Sequence, residues 1–144
     1  MANLQQLQKS IAIVQIISPV DINGGAVTGD YIHMKNYDAI VYVCEAGALA
    51  ANLVITVNQC TQDADGGTDA KAMTNAKATT FTNGTDEDTV RVIQIDVAQD
   101  MDVEGGFEWL RVQTNAAASP TLGAVTALCY RARYAEATMP SAIT

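Results

Sequence analysis

Short apolar runs rich in β-branched residues recur along this chain, each closed by a cluster of Gly, Asn or Asp, at intervals of roughly 10 to 15 residues. That rhythm is too short for helices that bury a face and fits strands joined by tight connections. Asp38 to Cys44 (DAIVYVC) is apolar on both alternating faces, which predicts a central strand covered on each side, by a second sheet or by another subunit. Leu53 to Cys60 places Leu53, Ile55 and Val57 on one face and Val54, Thr56 and Asn58 on the other, so it predicts a half-exposed strand. Gly29 to Met34, Ala78 to Thr82, Val90 to Val97, Phe107 to Thr114 and Gly123 to Arg133 complete a set of roughly six to eight strands. The turn formers at 21–25, 62–68, 83–88 and 100–106 predict the loops between them.

The 144 residues suffice for one domain, and an apolar share of 49% is enough to offset chain entropy. The expected architecture is all-β: a single-domain antiparallel β-sandwich or open barrel with an extended N-terminal arm. Residues 1–17 are read as a Gln-rich arm leading into a first strand, because Ile11 to Ile17 is β-branched at most positions and stops before Pro19. Residues 18–138 form the β domain, and 139–144, with Pro140, form a short extended tail.

Sixteen acidic and eight basic residues give a net charge of −8, which argues against binding by neutralising phosphates or anionic headgroups. The expected partners therefore include no nucleic acid and no membrane. No run approaches the ~18 apolar residues of a spanning helix, and the first residues lack a basic signal-peptide region, so synthesis in the cytoplasm is expected.

Groups suited to catalysis are sparse: one histidine, four serines and carboxylates concentrated in turns. The chain is read as a binding protein, not an enzyme, with no cofactor. His33, at a strand or strand end, is expected to be a surface or satisfied side chain. Cys44, Cys60 and Cys129 sit in apolar segments and are read as buried thiols, with a Cys44 to Cys60 bridge as the alternative. No CxxC spacing favours a metal. Asp63, Asp65 and Asp69 alternate around glycines as in hard-cation loops, but a twelve-residue calcium loop begun at Asp63 would place Thr74 where a bidentate glutamate belongs, so an acidic solvated turn is expected.

Two groups of residues are candidates for contact with a partner. Arg111 is in phase with Phe107 and Trp109, and Arg131 and Arg133 are in phase with Cys129. If their two strands pair, a basic and aromatic face results, of the kind that anchors interfaces. In the other register Glu108 pairs with Arg131 or Arg133, and both possibilities stand at this level. The second group is Ile11, Ile13, Val14, Ile16 and Ile17 in the arm. Ala-rich stretches at 45–51 and 116–118 predict loops that are covered by neighbouring subunits or form compact hairpin tips.

Ser18-Pro19-Val20-Asp21, Gly25 to Asp30, Met34-Lys35-Asn36-Tyr37, Ile95-Asp96-Val97, Gly105 to Val112 and Pro140 to Ile143 together resemble a family of head structural proteins of tailed bacteriophages, which includes candidate capsid decoration, or cement, proteins. The resemblance runs from about Ser18 to Ile143 and rests on turn and strand patterns without chemistry. It implies a virion protein on the capsid exterior that binds the major capsid protein, self-associates as a trimer or dimer, and ties capsid subunits together. By analogy with decoration proteins, residues 5–17 would add a strand to a capsid-protein edge. The rival readings are another virion subunit of the head or tail, and a carbohydrate-binding β-sandwich with its aromatics on one face.

Overall fold

A computed structural model describes residues 11–63 and 69–132. Its strands are β1 (Ala12–Asp21), β2 (Ile32–His33), β3 (Tyr37–Leu49), β4 (Leu53–Cys60), β5 (Lys77–Phe81), β6 (Val90–Asp96), β7 (Trp109–Thr114) and β8 (Thr121–Ala132). A 3₁₀ turn at Met34–Asn36 and one short helix, α1 (Val97–Asp100), join them. The first sheet has the order β1-β8-β3-β6 and the second β2-β7-β4-β5.

Every paired neighbour is antiparallel. The pairs β1 with β8, β2 with β7, β3 with β6 and β4 with β5 all form, so the chain is a ribbon folded in half and then wrapped into two sheets. This is the jelly-roll arrangement of a sandwich. Of the two expected architectures, the sandwich is the one adopted.

The core lies between the sheets. Ile40, Tyr42, Ile95 and Ala127 of the first sheet face inward with Leu53, Ile55, Phe81 and Leu110 of the second, all fully buried. Each such Ile or Leu contributes about 1.5–3 kcal/mol by leaving water. Contacts between β5 and β6 close one side of the sandwich. On the opposite side residues 28–30 cross between the sheets: the Gly29 amide donates to Val112 O at 2.9 Å and the Asp30 amide to Ile16 O at 3.2 Å. Only glycine fits at 29, since a Cβ there would lie 2.9 Å from Ile16 O and 2.5 Å from its Cγ2.

The alternation read in Leu53 to Cys60 holds, with Leu53, Ile55 and Val57 buried and Val54, Thr56 and Asn58 half-buried. The opposing sheet covers one face of β3 and leaves Val41 and Val43, on the other, half-buried, the side for which the sequence offered another subunit as cover. Two expectations are corrected. The expected Ala-rich loop at 45–51 is mostly the end of β3, which buries Ala46 and Leu49. Gly29 to Met34 yields only the two-residue β2, since residues 28–30 serve as the crossing between sheets.

The run Ile11 to Ile17 supplies the expected first strand, and it belongs to the sandwich instead of standing off it as an arm. Ala12 to Ile17 is the first part of β1, paired with Val125 to Cys129 of β8, and the boundary expected after residue 17 falls within that strand. The β-branched run finds its ladder in its own chain, where Val14, Ile16 and Ile17 join the core. Residues 1–10 and the expected tail at 139–144 lie outside the described residues.

Candidate functional site

The outer face of the second sheet gathers polar and aromatic side chains. Register pairs His33 of β2 with Trp109 of β7, and their rings stack with centroids 4.5 Å apart and planes 6° from parallel. His33 Nε2 lies 3.1 Å from Glu108 Oε2. His33 is thus a satisfied side chain that supports the tryptophan. Two residues along β7, Arg111 stands opposite Asn58 of β4. Its Nη2 donates to Gln113 Oε1 at 2.6 Å, and Gln113 Nε2 in turn donates to Thr28 Oγ1 at 3.2 Å.

Arg111 Nε is buried and has no partner among the described residues, nor does its guanidinium have an ion-pair partner among them. The side chain is half-buried and fixed at one nitrogen. The buried Nε is closed to another molecule, so what this half-exposed side chain can offer a carboxylate or carbonyl from outside is the remainder of the guanidinium.

Beside this face, loops are knotted by buried polar groups. Gln59 is 2% exposed, donates through Nε2 to Ala72 O at 3.0 Å and accepts from the Asp102 amide at 2.8 Å. Asp100 is 4% exposed and accepts from the Asp96 amide at 2.9 Å and Lys77 Nζ at 3.2 Å. Burial pushes the Asp100 carboxyl up, but the Asp96 amide, Lys77 and Asn75 outweigh it and hold the group below its ordinary value. Lys71 Nζ donates to Asp102 at 2.7 Å and lies 3.9 Å from the centre of the Phe107 ring. Lys71, followed by the Gly105 amide, lowers the Asp102 carboxyl. Gln59 and Asp100 escaped the sequence reading, because a lone Gln at a strand end and an Asp in an acidic loop carry no local signal of burial.

The outer face of the first sheet is different. Ile13, Leu128, Val41 and Gln94 form one row across its four strands, and Gln15, Thr126, Val43 and Val92 the next. Ala124, Glu45 and Val90 follow. Ile13, Val92 and Val90 are 71%, 62% and 58% exposed, too much apolar surface for an ordinary solvated strand face. At one end of these rows the Gln94 Nε2 donates to the Tyr130 hydroxyl and Arg131 pairs with Asp96 at 3.2 Å. At the other end, Pro19, Val20, Glu45, Gly47, Leu122 and Ala124 line a shallow groove of about 460 Å³.

The candidate contact residues are therefore separated. Trp109 and Arg111 share the second sheet's outer face, whereas Phe107 precedes β7 and sits under Lys71. Arg131 ends β8, in the other sheet, so β7 and β8 do not pair and the expected joint basic face does not form. The alternative pair of Glu108 with Arg131 does not form either, each having found another partner. Arg133 lies outside the described residues. Of the candidates at 11–17, Ile13 alone is strongly exposed, while Ile11, just before β1, is half-buried.

Cys44, Cys60 and Cys129 are buried thiols and the Cys44 to Cys60 bridge is not made. Burial pushes Cys44 and Cys129 up to about 12. In the acidic turn, Asp69 accepts from the Thr61 amide at 2.9 Å and from its hydroxyl. Asp63 is exposed, and Asp65 lies outside the described residues.

No protein-family model matches the chain, and no curated protein matches its sequence. Among solved structures, the fold is similar to that of the SPBc2 prophage-derived protein YomS, with a TM-score of 0.50 and 8% identity over 83% of this chain and 91% of that one. The likeness is one of fold, and it reaches a protein of phage origin.

Proposed function

We propose that this chain is a structural protein of a phage virion that binds the outer surface of the capsid and stabilises it by bridging major capsid subunits. Made in the host cytoplasm, it acts by contact and performs no catalysis. The observation that carries this reading is Arg111: a half-buried guanidinium with a fixed Nη2, a buried and unpartnered Nε, and the Trp109–His33 stack alongside. Arg and Trp are the side chains that most often anchor protein interfaces. With no carboxylate partner among the described residues, the Arg111 guanidinium is available to a partner's oxygen. The phage origin of the similar fold supports the same reading, although a jelly roll by itself hosts many functions.

The test is co-sedimentation of the purified chain with empty capsids assembled from the major capsid protein encoded nearest to it. Saturable binding at a fixed number of copies per capsid is expected. A chain that stays in the supernatant at every ratio refutes the proposal.

A further inference from the structure

We infer that Asn83 is a site of spontaneous deamidation in the folded protein, through attack by the backbone nitrogen of Gly84, and that Asn23, which also precedes a glycine, is protected. The chain has two Asn–Gly steps, Asn23-Gly24 and Asn83-Gly84. In both, the asparagine and the glycine are exposed. The two glycines have φ of 73° and 80°, and nothing lies within 4 Å of where a Cβ would stand on either. Without that Cβ, neither glycine hinders the approach of its own nitrogen to the preceding side chain. What separates the two steps is the hydrogen bonding of that nitrogen.

The Gly24 amide donates to Ala117 O at 2.8 Å and to Ile22 O at 3.2 Å. Ala117 belongs to the connection between β7 and β8, so this nitrogen becomes a nucleophile only when that connection parts from residues 22–24. The Gly84 amide donates to no acceptor among the described residues. The next two amides of the same turn do have one: Thr85 and Asp86 both donate to Thr82 O, at 3.1 and 2.9 Å. Water and base therefore reach the Gly84 N–H without any opening of the fold. The Asn83 carboxamide makes one hydrogen bond among the described residues, from Nδ2 to Ala50 O at 3.0 Å. That bond is exposed and of small net worth.

The step is an acyl transfer within the chain. Base takes the Gly84 N–H proton and the nitrogen attacks Asn83 Cγ. The N–Cγ bond forms, the Cγ–Nδ2 bond breaks, and Nδ2 leaves as ammonia with a proton from water. Water then opens the cyclic imide at one of its carbonyls, leaving aspartate or isoaspartate at 83, and nothing is oxidised or reduced. The product sets a carboxylate against Ala50 O where an Nδ2 donor stood, in a turn that already carries Asp86, Glu87 and Asp88. Isoaspartate also lengthens the backbone inside the turn that Thr82 closes on Asp86. The change strains the tie between the end of β5 and the β3–β4 connection, where the Asn83 amide donates to Asn52 Oδ1 at 2.9 Å and Asn115 Nδ2 to Asn52 O at 3.0 Å.

The experiment is incubation of the full chain at mildly alkaline pH, native and in denaturant, followed by peptide mapping with mass spectrometry that separates aspartate from isoaspartate. It needs no capsid, so its outcome does not depend on the capsid reading. In denaturant both asparagines should convert at similar rates, since each then precedes a free glycine amide. In the native chain Asn83 should convert about tenfold faster than Asn23, the factor set by the hydrogen bonds that Gly24 must first give up. Asn83→Gln should abolish the more acidic species that native wild type accumulates on isoelectric focusing. Hydrogen exchange of the aged wild type should rise at 50–52 and 82–86 and stay unchanged in β3. Equal native rates at the two asparagines overturn the inference, as does an Asn83 that stays intact in the native chain while converting in denaturant. An acidic species that persists undiminished in Asn83→Gln overturns it equally.

Discussion

The two outer faces of one sandwich are finished in opposite ways. The first sheet is built on its longest strands, β3 and β8, and turns plain aliphatic side chains outward. Backbone ladders and the core beneath hold it, so its outer residues are free to be chosen for a partner. The second sheet has shorter strands, and at one end its order depends on loops pinned by Gln59 and Asp100. Its outward side chains are aromatic and polar, positioned by one another. The difference teaches that a face held by ladders can be greasy and undemanding, while a face held by buried polar groups can aim individual atoms but depends on each of them.

If the second face docks a partner by aimed atoms, its anchors should dominate. Arg111→Ala and Trp109→Ala are each expected to weaken capsid binding by about 2 to 4 kcal/mol in a titrated co-sedimentation assay, with Val92→Asp leaving it within about tenfold of wild type. Equal losses from both faces would erase the contrast. Gln59→Leu should lower unfolding stability in denaturant by about 2 to 3 kcal/mol, because Ala72 O and the Asp102 amide both lose their partner.

Asp100→Asn should cost about 1 to 2 kcal/mol near neutral pH. The folded Asp100 carboxyl lies below its ordinary value, so its contribution is present above that value, near pH 4, and is lost as pH falls through the depressed one. The variant should therefore show a flatter acid limb, and hydrogen exchange on acidification should rise first at 96–102 and last in β3. The smallest effect belongs to the first sheet. The Tyr42 hydroxyl is buried without a hydrogen-bond partner among the described residues, so Tyr42→Phe should be neutral or stabilise by up to about 1 kcal/mol in the same denaturant assay.

Much of this arrangement was legible in the residues. The alternation of Leu53 to Val57 and the all-apolar run around Ile40 located two strands and their buried sides, because a strand's period of two is written locally. What eluded reading is what pairing decides. Trp109 and Arg131 occupy similar strand patterns, yet they stand in different sheets, and no local periodicity reports which strands become neighbours. Val41 and Val43 belong to an all-apolar run that reads as twice covered, yet among the described residues the chain itself covers only one side of their sheet, because an apolar run does not say what lies over each face. Gln59 and Asp100 were invisible for the converse reason: their burial is imposed by loops from distant parts of the chain.

The mirrored pairing of strands also governs how the molecule comes into being. β1 finds its neighbour only once β8 has left the ribosome, so the earliest strand synthesised waits longest. Throughout that wait β1 and β3 show bare backbone edges flanked by Ile16, Ile17 and Ile40, which are templates for wrongful pairing with other nascent chains. Chains cut before Thr121 will accordingly collect in inclusion bodies, because the last dozen residues of the ladder are what joins β1 to β3 and completes the first sheet.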